Sequence, residues 1–396
     1  MISLAALGWW MTNARLHGPL HRAGLWLAGA AAVLVSMLFH PTTASLYGGL
    51  AHLLLYVAVA APFFWAPVFV RTPEQLARLI GLILVCSGVN AAVGVLQVYA
   101  PDTFMPQELS RVISASSTGL GPVTYVGPDG RTIVRPPGLF DTPGAVAGPA
   151  MFAALLGVVF GLSALPKWKR MGSFAFAGAG IAAVYLTQVR ISFAMILLMF
   201  AGYAVALLVQ RRVSKATTIA LLGGILLSAG FAFALSLGGQ TISERFMTLL
   251  SGDPVSVYYN ARGVQLSYSL SELMLDYPLG AGLARWGMAA AYFGSSRVPK
   301  MWAELQVTGW LIDGGVPLLV LYAGALLVVA HSQFRLARLT QYPRLAACAA
   351  VVFALSLGPI AMTVSFTPFV TQLGVQFWFL AGALHGVACS ARLQHA

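Results

Sequence analysis

The sequence predicts an all-α polytopic membrane protein, a helical bundle of about ten spans (10–12) with two long loops on its outer face. Three observations carry that prediction. Of 396 residues, 59% are hydrophobic and only 9% are charged, and the mean hydropathy is +0.81. A soluble domain carries about 25% charged residues to keep its surface wetted, so most of this surface must face lipid. The apolar residues also fall in long unbroken runs, without the alternation of barrel strands. A soluble enzyme, a disordered chain and a disulfide scaffold are excluded.

A spanning helix needs about 20 apolar residues. Ten runs approach that length: 23–39, 47–70, 79–100, 144–165, 173–188, 192–209, 217–237, 309–330, 345–365 and 368–389. Met1–Met11 is apolar but too short to span, and no charged segment precedes it. It reads as an interfacial half-helix or part of a further span, and not as a cleavable signal peptide. Cys86, Cys348 and Cys389 lie inside apolar runs without metal-binding spacing, so they read as small hydrophobes.

Orientation follows from the basic residues. The connections on one side hold fourteen Lys and Arg against a single acid, Glu74, whereas those on the other hold nine of each sign. The positive-inside rule places the first set, with both termini, in the cytoplasm. The net charge of +12 is therefore a topology signal and needs no nucleic-acid partner. The chain reads as one integral membrane domain, 1–396, from which loops 101–143 and 238–308 emerge outside. Long loops on a rigid scaffold usually carry function.

The larger loop holds an amphipathic helix from about Asn260, a candidate cap, to Asp276, with Pro278 as the stop. Its apolar positions are Val264, Leu270, Leu273 and Met274. The turn Pro278-Leu279-Gly280-Ala281-Gly282 follows, then a basic and aromatic stretch containing Arg285, Trp286, Arg297, Lys300 and Trp302, and finally Glu304 before the next span. The first loop closes through Arg135 to Phe140. Arg190 stands in a very short outer connection, against the charge rule. Arginine forks bind phosphates bidentately, so Arg135, Arg190, Arg262 and Arg285 are candidate substrate-binding residues. Blander roles compete. Arg190 can snorkel to headgroups, Arg262 can pair with Asp253 or Glu244, and Arg135 can anchor a loop through carbonyls. Glu304 can pair with Arg297 or Lys300, and the Trp and Tyr residues can form an interfacial belt. Asp313 reads as a helix-packing hydrogen bonder. None of the seven histidines falls in either long outer loop, and no nucleotide-binding, serine-hydrolase or zinc motif is present. No metal site or cofactor is expected.

The order of these features resembles the O-antigen ligase and O-antigen polymerase superfamily of bacterial membrane proteins. The resemblance runs through Arg135–Phe140, Gln188–Ser192, Arg262, Pro278–Gly282, Ala303–Gln306 and Asp313–Gly315, and covers most of residues 75–390. It implies a GT-C-like fold in the inner membrane, acting at the periplasmic face without metal on an undecaprenyl-pyrophosphate-linked glycan. Arg190 and Arg262 would then hold the carrier pyrophosphate. The ligases of that superfamily carry a histidine where this chain has Glu304, the expected general base, its basicity raised by partial desolvation. Three functions are expected in descending order. The first is a polymerase of lipid-linked repeat units (O-antigen or exopolysaccharide), partnered by membrane lipid and a flippase or chain-length regulator. The second is a ligase to lipid A-core or protein, and the third, of another class, a lipid or sugar transporter or flippase.

Overall fold

The computed structural model describes residues 1–13, 18–106, 123–126, 132–140, 142, 144–251, 253–294, 298–339 and 341–393. Its main helices are α1 (Ile2–Thr12), α2 (Ala23–Met37), α3 (Leu46–Ala60), α4 (Pro62–Phe69), α5 (Pro73–Tyr99) and α6 (Ala147–Gly161). They continue as α7 (Lys167–Leu186), α8 (Arg190–Val209), α9 (Val213–Ser251), α10 (Gln306–Ala337), α11 (Pro343–Met362) and α12 (Gln372–Leu393). Each of the ten apolar runs is helical. Among the described residues seven helices are long and apolar enough to cross a membrane, so the chain has the build of a helical membrane protein. The remaining three runs fall short for physical reasons. Helices α2 and α6 have only 15 residues each, and α7 opens on Lys167, Lys169 and Arg170.

The all-helical build is as expected, with one small antiparallel pairing of Thr124–Val126 with Thr132–Val134 beside it, in the register Tyr125 opposite Ile133. The sequence between them reads Gly-Pro-Asp-Gly-Arg, a turn signal flanked by β-branched residues. Counting apolar runs passes over so short a feature.

The chain forms two compact units, Met1–Leu76 with Tyr258–Ala396, and Ala77–Val257. In the first, α3 begins at Ser45, whose hydroxyl caps Gly48 N–H at 3.0 Å, and α3 and α4 together make one apolar segment, Leu46–Phe69. The core is aromatic. Trp310, Tyr322, Phe369 and Trp378 pack together, and the Trp378 indole donates to Tyr322 Oη at 3.1 Å. Such rings bury large apolar area, and their polar tips need partners.

Helix α10 is broken inside this core. Gly314 (φ −165°) and Gly315 (φ 63°) leave the helical region, which orphans backbone groups in an apolar interior where each would be costly. The Pro278–Gly282 turn supplies the partners. Ala281 N–H donates to Ile312 O at 2.6 Å, and Val316 N–H donates to Pro278 O at 2.9 Å. The approach admits no side chain, since a Cβ on Gly280 (φ 104°) would lie 2.8 Å from Gly314 Cα.

In the second unit α6 is the central helix, with thirteen of its fifteen residues buried. It packs against α7 through glycines. A Cβ on Gly180 would lie 2.6 Å from Ala150 O, and one on Gly157 would strike Ser173 O. Small residues let two backbones close in this way where lipid supplies no hydrophobic drive.

The helix break yields a test. Gly315→Ala would force an L-residue into positive φ and push a methyl against Pro278 O. We expect about 2 kcal/mol or more of lost stability, read as a lower unfolding temperature in detergent. Gly172→Ala, at an open helical position, should leave that temperature unchanged or raise it.

Candidate functional site

From Tyr258 onward the large loop belongs to the first unit, and its earlier residues belong to the second. From Pro254 to Asp276 the chain is one helical run containing two π-helical segments, Tyr259–Gly263 and Ser269–Leu273. The expected cap at Asn260 is corrected. Asp253 caps the run instead, its carboxylate accepting Val255 N–H at 3.1 Å and Ser256 N–H at 3.2 Å, so Asn260 lies inside the helix. The two widened turns also change which face is buried. Gln265, Ser269 and Leu273 point inward, whereas Val264 and Leu270 are exposed. Ser269 Oγ and Thr308 Oγ1 share a hydrogen bond of 2.7 Å, and Gln265 Nε2 donates to Trp302 O at 3.2 Å. These bonds tie the loop helix to the start of α10.

Arg262 lies in the first π-helical segment, a kind of bulge that re-aims side chains and recurs at functional sites. Its guanidinium forms an ion pair with the Glu304 carboxylate, and the two side chains are 39% and 35% exposed. Two candidates far apart in sequence thus meet. Asp253 is used as a cap, Glu244's side chain lies outside the described positions, and so does Arg297. Burial lowers the Arg262 pKa from its ordinary value, yet a guanidinium remains cationic at any physiological pH.

Arg285 has a different place from the one foreseen. It is only 6% exposed, and its fork donates to Ala281 O at 3.0 Å through Nη1 and to Pro299 O at 3.1 Å through Nη2. Nε also donates to Pro299 O, at 3.3 Å. Three donors spent on backbone carbonyls make it a clamp across the loop rather than an open phosphate fork.

The second unit holds the other two arginines. Thr187 closes α7, Gln188 adopts a left-handed conformation (φ 57°), and Arg190 is the first residue of α8. Arg135 Nε reaches Thr187 O at 3.4 Å, the loop-anchoring role weighed for it, and so stands at the same turn as Arg190. Gln188 and Ser192 are 2% and 0% exposed, and Gln188 Nε2 and Ser192 Oγ have no hydrogen-bond partner. A strained non-glycine residue, orphaned buried polar atoms and the positive end of a 20-residue helix together favour negative charge at this turn.

One cluster escaped the sequence reading. Asp313, fully buried, accepts from Tyr56 Oη at 2.8 Å, and His52 Nε2 lies 3.5 Å from the same oxygen. His52 Nδ1 accepts Ala284 N–H at 3.1 Å, so its proton sits on Nε2, toward the acid. Trp286 Nε1 is close to this carboxylate but outside hydrogen-bond geometry. The available signal was a histidine in one apolar run and an acid in another, each costly alone in such a segment. Glu304 precedes α10, whereas Asp313 lies within it. Among the described residues no group of three or more His, Cys, Asp or Glu side chains is arranged to hold a metal.

No protein-family model matches this chain, and no curated protein is significantly similar to it.

The two loop arginines should separate in a stability measurement. Arg285→Ala leaves carbonyls without their charged donors and should cost about 2 kcal/mol, with faster proteolysis of the 278–303 segment. Arg262→Ala removes a half-exposed pair and should change stability by less than about 1 kcal/mol. Equal losses would remove the distinction between clamp and site.

Proposed function

We propose that this protein is a membrane glycosyltransferase that polymerises polyprenyl-pyrophosphate-linked oligosaccharide repeat units at the outer face of the cytoplasmic membrane. The observation that carries the reading is the Arg262–Glu304 pair, a cation and a carboxylate joined in a partly open position of the large loop. A pyrophosphate donor competes with Glu304 for Arg262, since both offer oxygens to the same fork. Donor binding then frees the carboxylate at the moment a base is needed. The acceptor hydroxyl attacks C1 of the donor sugar and passes its proton to Glu304. The bond from C1 to the pyrophosphate oxygen breaks, and its electron pair leaves with the carrier pyrophosphate. Fixed guanidinium groups stabilise that departing charge more in the transition state than in the ground state.

Within the second unit, Arg190 and the start of α8 are a candidate place for phosphate oxygens in their own right. Arg285 is left out of the substrate contacts, and Arg135 acts through the Thr187 turn. Residues exposed on the loop helix and beyond it, among them Val264, Leu275, Leu279 and Trp302, fit contact with lipid or the carrier chain. A ligase differs from this only in its acceptor.

One observation favours a transporter. A broken spanning helix beside a buried acid is what ion-coupled carriers use, and α10 has both. It ranks lower because the turn at Pro278–Gly282 already occupies backbone groups of that break, which an ion would need.

The test is purified protein with a lipid-pyrophosphate oligosaccharide in detergent, with EDTA and no gradient. Glycan lengthening is expected under these conditions. Product only with added divalent metal would overturn the arginine mechanism, and gradient-dependent lipid movement without product would select the transporter. In that assay Arg190→Lys should lose most transfer, because an ammonium cannot fork two phosphate oxygens. Glu304→Gln should bind the donor yet turn it over roughly a hundredfold more slowly. Unchanged turnover would make Glu304 a structural partner of Arg262.

A further inference from the structure

Two adjoining cavities lie in the first unit, away from the residues of the large loop. One, of about 240 Å³, is lined at its polar end by His21, Arg71, His385 and Cys389, with Phe63 and Pro67 on its wall. The other, of about 220 Å³, is lined by Leu27, Ala28, Leu34, Val57 and Ala60 and by aromatic rings. Both are bordered by Trp10 and Phe64, whose rings stand 5.7 Å apart. A polar chamber therefore opens beside an apolar slot, with two aromatic side chains at the junction.

The polar chamber is built to receive negative charge. Among the described residues no Asp or Glu lines it, and the nearby acid Glu74 is engaged by Arg344. Arg71 spends Nε on Val68 O at 3.1 Å and is exposed. His21 Nδ1 accepts Ala23 N–H at 3.2 Å, which leaves its Nε2–H as a donor. His385 stands edge-on to it at 5.0 Å and bonds Pro19 O through Nε2 at 2.8 Å. Burial, with His385 and Arg22 nearby, holds the His21 pKa down to about 4, so the fixed charge comes from arginine and the imidazole contributes a neutral donor. A free phosphate would satisfy this chamber but has no use for the slot beside it. An amphiphile with an anionic phosphate head and a hydrocarbon chain fills both.

We propose that these two cavities form a binding site for one anionic phospholipid, its headgroup phosphate at Arg71 and His21 and an acyl chain in the slot between α1, α2 and α3. The site is independent of the transfer chemistry proposed above.

The test is native mass spectrometry of the full chain, delipidated in detergent and titrated with phosphatidylglycerol, phosphatidylcholine or inorganic phosphate. One phosphatidylglycerol per chain should be retained, in preference to phosphatidylcholine and undisplaced by phosphate. Arg71→Gln should weaken retention roughly tenfold, the scale of one charge-assisted hydrogen-bonded contact. Ala28→Phe, at an exposed position lining the slot, should weaken it independently from the other end. Neither side chain is buried, so both variants should keep the wild-type melting temperature. Wild-type retention in either variant, indifference to headgroup, or displacement by phosphate would overturn the assignment.

Discussion

The docking of the Pro278–Gly282 turn into the break of α10 is the constraint on which the first unit's loop structure depends. A spanning helix interrupted in an apolar core must find partners for its freed backbone groups or pay heavily for each. Here the partners come from a loop, so the helix break and the loop conformation require one another. The consequences run outward from that contact. Thr42 Oγ1 donates to Ala281 O at 2.6 Å, and Leu283 N–H donates to Thr43 Oγ1 at 3.1 Å. Ala284 is held in a left-handed conformation (φ 57°) with its N–H on His52. Arg285 then closes the segment by reaching back to Ala281 and forward to Pro299. The loop is thus stitched at Ala281, Leu283, Ala284 and Arg285. Glu304, a few residues beyond this clamp, inherits a defined position.

Much of this was legible in the sequence, and the misses have a common cause. Apolar run length found every long helix because burial in lipid is a bulk property that composition records. The Pro-Leu-Gly-x-Gly and Asp-Gly-Gly segments stood out as glycine-rich, yet their complementarity is a matter of two backbones meeting, which neither segment encodes alone. Pairings were sought among sequence neighbours: Arg262 with Asp253, Glu304 with Arg297. Tertiary closure chose a partner outside either neighbourhood. Arg285 was misjudged for a related reason. Its residue type suits phosphate and buried carbonyls equally well, and only burial decides between them. The π-helical turns were invisible because they change which residues share a face while leaving composition unchanged, so the inward places of Gln265 and Ser269 could not be read from apolar spacing.

Asp313 and Glu304 each have a cationic or potentially cationic partner, and they invite opposite assignments. His52, Asp313 and Tyr56 have the look of catalytic machinery: an acid orienting an imidazole of fixed tautomer beside a phenol. Geometry argues otherwise. Asp313 is 0% exposed, and the outward nitrogen of His52 is already spent on Ala284 N–H. A general base must come within hydrogen-bond reach of the proton it takes, and these atoms reach only one another. Their evident work is to join α3, the break in α10 and the loop after Pro278 into one hydrogen-bonded unit, as a buried charge requires. The Arg262–Glu304 pair is the reverse case. It is about a third open to solvent, and placed on a bulged helix and a non-helical segment instead of in the aromatic core. Half-exposed pairs contribute little to stability, so stability alone is a weak reason for it. A carboxylate that a competing anion can release is a better match for chemistry on a charged, lipid-linked donor than one locked permanently in the core.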